Sequence, residues 1–288
     1  MLKIGIESDA YFSIDEYKQG FKKIKSHGYD CVDYSSLANP GCYLYKKTEK
    51  EFVDFLKDVR KTAENEGVEI SQMHGLWPSN DTTDETRKQG IEYLKKQILA
   101  AKELGCPNLV IHPCLPYKTG PEPDNVLGWE TNVERLEKIL PTAEKFGVNI
   151  CVENLPFLAI KMSQVDWLKK LLDYFQHPNL KICFDTGHAN VYQDDLAEDV
   201  RKIGKDLQCL HVHDNRGNWD EHMTPYKGTI DWESFLTALK QIGYKGCFSL
   251  ETYPNKKMPE PFLENERLNL AKLARFMASQ LAEKEVVR

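Results

Sequence analysis

Short runs of apolar and β-branched residues recur eight times along this chain, each followed by a longer stretch with helical spacing. No other feature constrains the fold as much, because strands alternating with helices are the pattern of a parallel sheet joined by crossover helices. The strand runs lie at 3–7, 31–34, 68–74, 108–112, 149–153, 181–185, 208–213 and 246–251. The helical stretches lie at 13–26, 48–66, 84–104, 130–146, 163–175, 196–204, 232–242 and 264–283. Loop signals such as HGYD, NEGVE, KFGVN and IGYKG stand before the strands, where Gly closes a helix. The seventh strand is instead entered through KDLQ. Asp231 and Ser163 read as N-caps of their helices. Eight units in 288 residues average about 36 residues each, the size of a closed (β/α)8 barrel. The expected fold is therefore an α/β barrel forming a single domain over 1–288, with a doubly wound open sheet as the alternative. The longest irregular segments, 113–128 and 215–230, both follow strands, on the face where a barrel builds its site.

Composition narrows the setting. With 41% hydrophobic and 28% charged residues and no apolar run of membrane-spanning length, the chain reads as globular with no membrane partner. The N-terminus MLKIGIESDAYF enters a strand pattern at once, so a cytoplasmic location is expected. Eight cysteines occur without any C-x-x-C pair and mostly inside apolar runs, as reduced core thiols do. A formal charge of −6 argues against an extensive phosphate-backbone surface, so a nucleic-acid partner is not expected.

Alternate residues of a barrel strand face inward, so each strand divides by parity. The division sends Cys151 and Glu153, Cys183 and Asp185, Cys209, His211 and His213, and Cys247, Ser249 and Glu251 to the inside, with His74 and His112 ending the third and fourth strands. The cysteines lie one layer deeper than the ionisable groups and read as small fillers rather than ligands. Carboxylates and imidazoles crowded into one enclosed mouth need a neutralising charge, because an isolated buried carboxylate is costly. A divalent metal supplies it, and oxygen and imidazole donors suit Mn²⁺, Mg²⁺, Co²⁺ or Zn²⁺. Taken singly, each His or acid is an ordinary core or capping residue. Glu153, Asp185, His211 and Glu251 are separated by 32, 26 and 40 residues, close to one β/α unit each, and that spacing points to a shared site.

At these residues the sequence resembles the xylose isomerase-like TIM barrel superfamily, in particular its sugar phosphate isomerase/epimerase branch. The matching stretches are VENLP around Glu153, CFDTGHA around Asp185 and His188, LHVHDNRG around His211, the segment DEHMTPYKGTIDW, and LETY around Glu251. The resemblance implies one divalent metal, Mn²⁺ first, held by Glu153, Asp185, His211 and Glu251. It also implies that Glu153 and Glu251 exchange the substrate proton, that His188 contacts a substrate oxygen, and that Arg216 assists. One departure is visible: the ketose 3-epimerases carry a further substrate-binding Glu after VENLP, where Leu158 stands here. Endonuclease IV, of the same superfamily, builds a trinuclear zinc site whose ligands have counterparts in His74, His112, Glu153, Asp185, His188, His211, Asp220, His222 and Glu251. Asp220 and His222 are thus candidates for additional metal sites. The loops with which that enzyme reads DNA have no counterpart in YSSLANPG or MHGLWPSN.

The chemistry expected is proton removal from a carbon beside a carbonyl, with a metal-stabilised enediolate, on a small sugar or polyol. Epimerisation and isomerisation differ in where the proton returns, and loss of a β-hydroxyl would make a dehydratase of the inosose or dehydroshikimate type. A zinc phosphodiesterase acting on abasic DNA is the other alternative. His74 and His112 are expected to bond substrate hydroxyls, and Tyr11, Phe12, Trp77 and Tyr117 to stack on a sugar face. A non-phosphorylated substrate is expected, and homo-oligomerisation is left open.

Overall fold

The computed structural model describes residues 1–77, 83–115, 124–192 and 195–281. Eight parallel strands, β1 (Ile4–Glu7), β2 (Cys31–Tyr34), β3 (Glu69–His74), β4 (Asn108–Ile111), β5 (Asn149–Glu153), β6 (Leu180–Asp185), β7 (Leu207–His211) and β8 (Phe248–Leu250), pair in the order β7-β6-β5-β4-β3-β2-β1-β8. The seam between β7 and β8 is closed by a parallel bridge from Val212 to Leu250, in which Val212 N–H donates to the Ser249 carbonyl and Glu251 N–H to that of Val212. The result is a single-domain TIM barrel.

The helices are α1 (Tyr17–Ser26), α2 (Glu49–Glu66), α3 (Asp84–Leu104), α4 (Asn125–Phe146), α5 (Val165–Phe175), α6 (Thr186–Val191), α7 (Leu196–Ile203), α8 (Trp232–Gln241) and α9 (Glu260–Ser279). Local chemistry explains their bounds. Thr48 and Glu51 form a reciprocal capping box at the start of α2, whose Phe52, Leu56, Val59 and Ala63 recur on one buried face. Gly147 closes α4 at φ +67°, a left-handed conformation that disfavours a side chain. Asp231 caps α8 by accepting from Ser234 N–H, as its position implies.

Several bounds differ from those read in the sequence. Helix α1 begins at Tyr17 rather than 13, because Ser13 and Glu16 bond to each other in a turn. Helix α4 begins at Asn125 rather than 130, because Asp124 accepts from the N–H groups of Val126 and Leu127. Ser163 is not the N-cap of α5: it sits in a single 3₁₀ turn, and Gln164 occupies the cap position without a side-chain bond. Helix α6 was absent from the sequence reading; Asp185 caps it through His188 N–H at 2.6 Å.

The main core lies between barrel and helices, where outward strand residues such as Ile182, Phe184, Leu210 and Phe248 are fully buried. The Phe184 ring meets Phe235 of α8 at 6.2 Å, and truncation of such a ring costs about 3–5 kcal/mol. Inside the barrel Val110, Cys151, Cys183 and Cys209 form a separate small cluster, with Cys151 and Cys209 sulfurs 3.6 Å apart. None of the eight cysteines, all among the described residues, is in a disulfide. Among the described residues no helix is long and apolar enough to cross a membrane.

Candidate functional site

Strands β5, β6 and β7 end on Glu153, Asp185 and His211, and the ladder sets Asp185 beside His211. Glu251 follows the last residue of β8. Ligand-capable atoms of these four buried residues all lie within 4.8 Å of one another. His211 Nδ1 is 2.8 Å from Glu153 Oε1 and 3.0 Å from Glu251 Oε2. Its other nitrogen, Nε2, lies 2.8 Å from Asp33 Oδ2, which also accepts from Gln72 Nε2 at 2.9 Å. A carboxylate at Nε2 holds a proton there and turns Nδ1 toward the cluster.

Burial pushes the Glu153 carboxyl up, but the His211 and His112 imidazoles outweigh it and hold the group well below the usual carboxylate range. Glu251 behaves alike: burial raises it, and His211 and His222 draw it well below. Burial lowers His211, yet Cys183 and the charges of Glu251 and Glu153 lift it well above the ordinary imidazole value. Oε2 of Glu153 and Oε2 of Glu251 are buried without an aligned hydrogen-bond donor among the described residues. Buried acceptors that imidazoles approach without an aligned hydrogen bond, in a space lined by three carboxylates and an imidazole, have the chemistry of a divalent-cation cradle. The residues present therefore fit such an ion.

A second group flanks the first. Asp220 accepts from His188 Nε2 at 3.3 Å and lies 3.1 Å from His222 Nε2. Opposite those contacts, His188 Nδ1 bonds the Asn154 carbonyl and His222 Nδ1 that of Glu251, each at about 2.8–2.9 Å. Burial lowers both imidazoles, but neighbouring carboxylates, Asp185 and Asp220 for His188 and Asp220 and Glu251 for His222, raise each to about 10. Burial raises Asp220 in turn, and these imidazoles hold it well below its ordinary value. His213, buried and 3.0 Å from Asp185 Oδ2, stacks on His222 at 4.2 Å. Gly187 makes this possible, since a Cβ there would come within 1.9 Å of the His213 ring.

His74 stacks on His211 at 5.5 Å, and His112 Nε2 lies 3.0 Å from Glu153 Oε2. Trp77 covers His112 edge-on at 4.5 Å. All three line a cavity of about 700 Å³ that opens over the cluster, together with Glu153, His188, Asp220, His222 and Glu251.

Two acids on the first strands had escaped notice. Asp33 is described above. Glu7 is buried, and burial together with the Glu251 charge pushes its carboxyl up to about 7. The Tyr253 phenol bonds Glu7 and lies 3.3 Å from Glu251 Oε1, so it ties the two acids together. The parity rule applied to β1 and β2 would have found both, because Glu7 lies two residues past Gly5 and Asp33 two past Cys31.

Other expectations are corrected. Arg216 does not enter the cavity: its side chain is 64% exposed, pairs with Glu221, and lines a separate hollow with Asn190, Asp195 and Asp231. Tyr11 is core, its hydroxyl bonding His27 at 2.8 Å under Arg267. Phe12 is buried against Phe21. Tyr117 lies outside the described residues. Leu158 lines the cavity.

Acids and imidazoles gathered at the C-terminal ends of parallel barrel strands occupy the face on which TIM barrels carry their sites. The profile of the xylose isomerase-like TIM barrel family matches residues 21–280, and the chain belongs to that family. A D-psicose 3-epimerase from Ruminiclostridium cellulolyticum is 23% identical, over 83% of this chain and 78% of that protein. A crystal structure of D-psicose 3-epimerase in the presence of D-fructose superposes with a TM-score of 0.79 at 18% identity, covering 96% of this chain and 99% of the other. The 3-keto-D-glucoside 4-epimerase from E. coli, in its apo form, gives 0.76 at 18% identity, covering 95% and 100%.

Proposed function

We propose that this protein is a divalent-metal-dependent sugar isomerase or epimerase acting in the cytoplasm on a small sugar or polyol that carries a carbonyl, with Glu153 and Glu251 as its proton-transfer groups. One observation carries the reading: oxygens of both glutamates lie within 3.0 Å of the same His211 nitrogen, so two carboxylates face one small space. That is the arrangement needed to take a proton from one face of a carbon and return one to the other. The named relatives, epimerases of D-psicose and of a 3-keto-D-glucoside, support the same class.

Glu153, Asp185, His211 and Glu251 would hold the ion, Mn²⁺ first and Co²⁺, Mg²⁺ or Zn²⁺ as substitutes, given their oxygen and nitrogen donors. When bound, it supplies a Lewis acid toward the carbonyl oxygen and an adjacent hydroxyl. Asp33 keeps the proton on the far nitrogen of His211. Glu153, held ionised by its imidazole neighbours, is ready as a base at neutral pH. Tyr253 steadies Glu251 from its other side. His188, His74 and His112 would bond substrate hydroxyls, and Trp77 would cover an apolar sugar face. Asp220 and His222, paired to each other, support His188 and Glu251 rather than carrying a step of their own.

Removal of a proton beside the carbonyl leaves an enediolate. Its return to the same carbon from the opposite side epimerises, and its return to the neighbouring carbon isomerises. The test is incubation in D₂O with a panel of ketoses, inososes and abasic-site DNA. Solvent deuterium is expected in a sugar carbon, with no nicking of the DNA. Zn²⁺-dependent incision at the abasic site without sugar turnover would overturn the proposal.

A further inference from the structure

The cavity over the four-residue cluster has two unlike zones. Its floor is ionisable, formed by Glu7, His74, His112, Glu153 and Glu251. Around it stand the apolar side chains of Trp77 after β3, of Leu155, Phe157 and Leu158 after β5, of Val191 at the end of α6 and of Trp219 after β7, with Asp9, Asn218 and Asp220 among them. Two of these side chains stand largely in solvent, Leu158 at 60% and Trp219 at 74% exposed, while Trp77 is 43% exposed. The volume, about 700 Å³, falls within the range of about 300–1,000 Å³ typical of pockets that enclose drug-sized ligands.

A free sugar bears a hydroxyl on nearly every carbon and is satisfied by the floor. With Trp77 on a sugar face, it would still leave Leu158 and Trp219 facing water. Large apolar side chains kept exposed beside a polar cleft mark a place where a partner brings apolar surface. Because the wall is concave and continuous with the floor, that surface belongs to the molecule seated on the floor. We infer, building on the epimerase or isomerase reading above, that the substrate class is a keto sugar joined to an apolar group, such as an aryl or alkyl glycoside. The sugar carbonyl lies at the glutamates, and the apolar group lies between Trp77, Leu158 and Trp219. Leu158 fits this role directly, since a carboxylate there would meet the apolar group with a charge.

The experiment compares solvent-deuterium incorporation into phenyl 3-keto-β-D-glucoside, its methyl counterpart and D-fructose, using the Mn²⁺-supplemented full chain. The phenyl compound should exceed the methyl compound in kcat/KM by about ten-fold or more, the scale of selectivity that an apolar pocket provides. Leu158→Glu and Trp219→Ala should each bring that ratio toward one, with the oligomeric state on size exclusion unchanged. A wild-type ratio near one, with exchange still seen into the methyl compound or D-fructose, would overturn this inference and leave the epimerase reading standing. So would a ratio unmoved in both variants, or a variant that dissociates an oligomer without moving the ratio, since the wall would then serve a contact between copies of the chain. Exchange into none of the three compounds would overturn the parent reading and this one with it.

Discussion

Two adjacent layers inside the barrel are built by the same strands and differ in almost every physical respect. The deeper one, Val110, Cys151, Cys183 and Cys209, is small, neutral and closed on itself. One step along each strand, two residues and about 7 Å further, lies the layer of Glu153, Asp185 and His211, joined by Glu251. Both layers are buried, so burial alone does not distinguish them. What differs is satisfaction: the thiols need no partner, whereas the mouth gathers carboxylates whose outer oxygens have no aligned donor among the described residues. A polar layer left in that state on top of a self-contained one is organised around something it binds.

The charged layer is disturbed most severely at the glutamates. Glu153→Gln and Glu251→Gln should each lower turnover by about 10²–10⁴-fold, because an amide cannot accept the proton and is a poor ligand. Steady-state kinetics together with single-turnover deuterium exchange measures it, and near-normal rates in either variant would remove that residue from the chemistry.

Asp33→Asn probes the support of the charged layer. The amide can present its NH₂ to His211 Nε2 and so shift the proton to Nδ1, which weakens Mn²⁺ binding by about 10–100-fold. Titration of chelator-treated protein reads this directly, and unchanged affinity would show that the Asp33 contact does not orient the imidazole.

The neutral layer has its own test. Cys183→Leu inserts volume into this fully buried cluster, and should cost about 1–3 kcal/mol in urea denaturation. An equally stable variant would mean that the layer is loosely filled. The smallest effect is expected at a residue that lies outside the cavity lining. Arg216→Ala removes an exposed ion pair with Glu221, so it should leave kcat/KM within about two-fold of wild type. A larger loss would return Arg216 to the substrate.

Much of this was legible beforehand, and the limits have physical causes. Strand parity placed Cys151 and Glu153, Cys183 and Asp185, and Cys209 and His211 on the inside, because a side-chain period of two leaves no freedom once one face is buried. The span of β5 was read to the residue, and so was that of β2. Glu7 and Asp33 were missed only because the same parity was not carried to the first two strands. Arg216, Tyr11 and Phe12 were misplaced for a different reason. They lie in loops, where direction is set by tertiary partners such as Glu221, His27 and Phe21 rather than by any local period. Helix α6 escaped because six residues carry too little periodicity to read, and its cap is the site residue Asp185 itself.

Glu153, Asp185, His211 and Glu251 are proposed to form one divalent-ion site. Calorimetric titration of the chelator-treated protein with Mn²⁺, paired with thermal melting, tests it most directly. One ion per chain at micromolar affinity and a raised melting temperature are expected, with both lost in Asp185→Asn. No binding and no change in melting temperature would contradict it. So would three ions per chain, with His112→Ala and His222→Ala each losing one, a result that would move the chemistry toward phosphodiester hydrolysis.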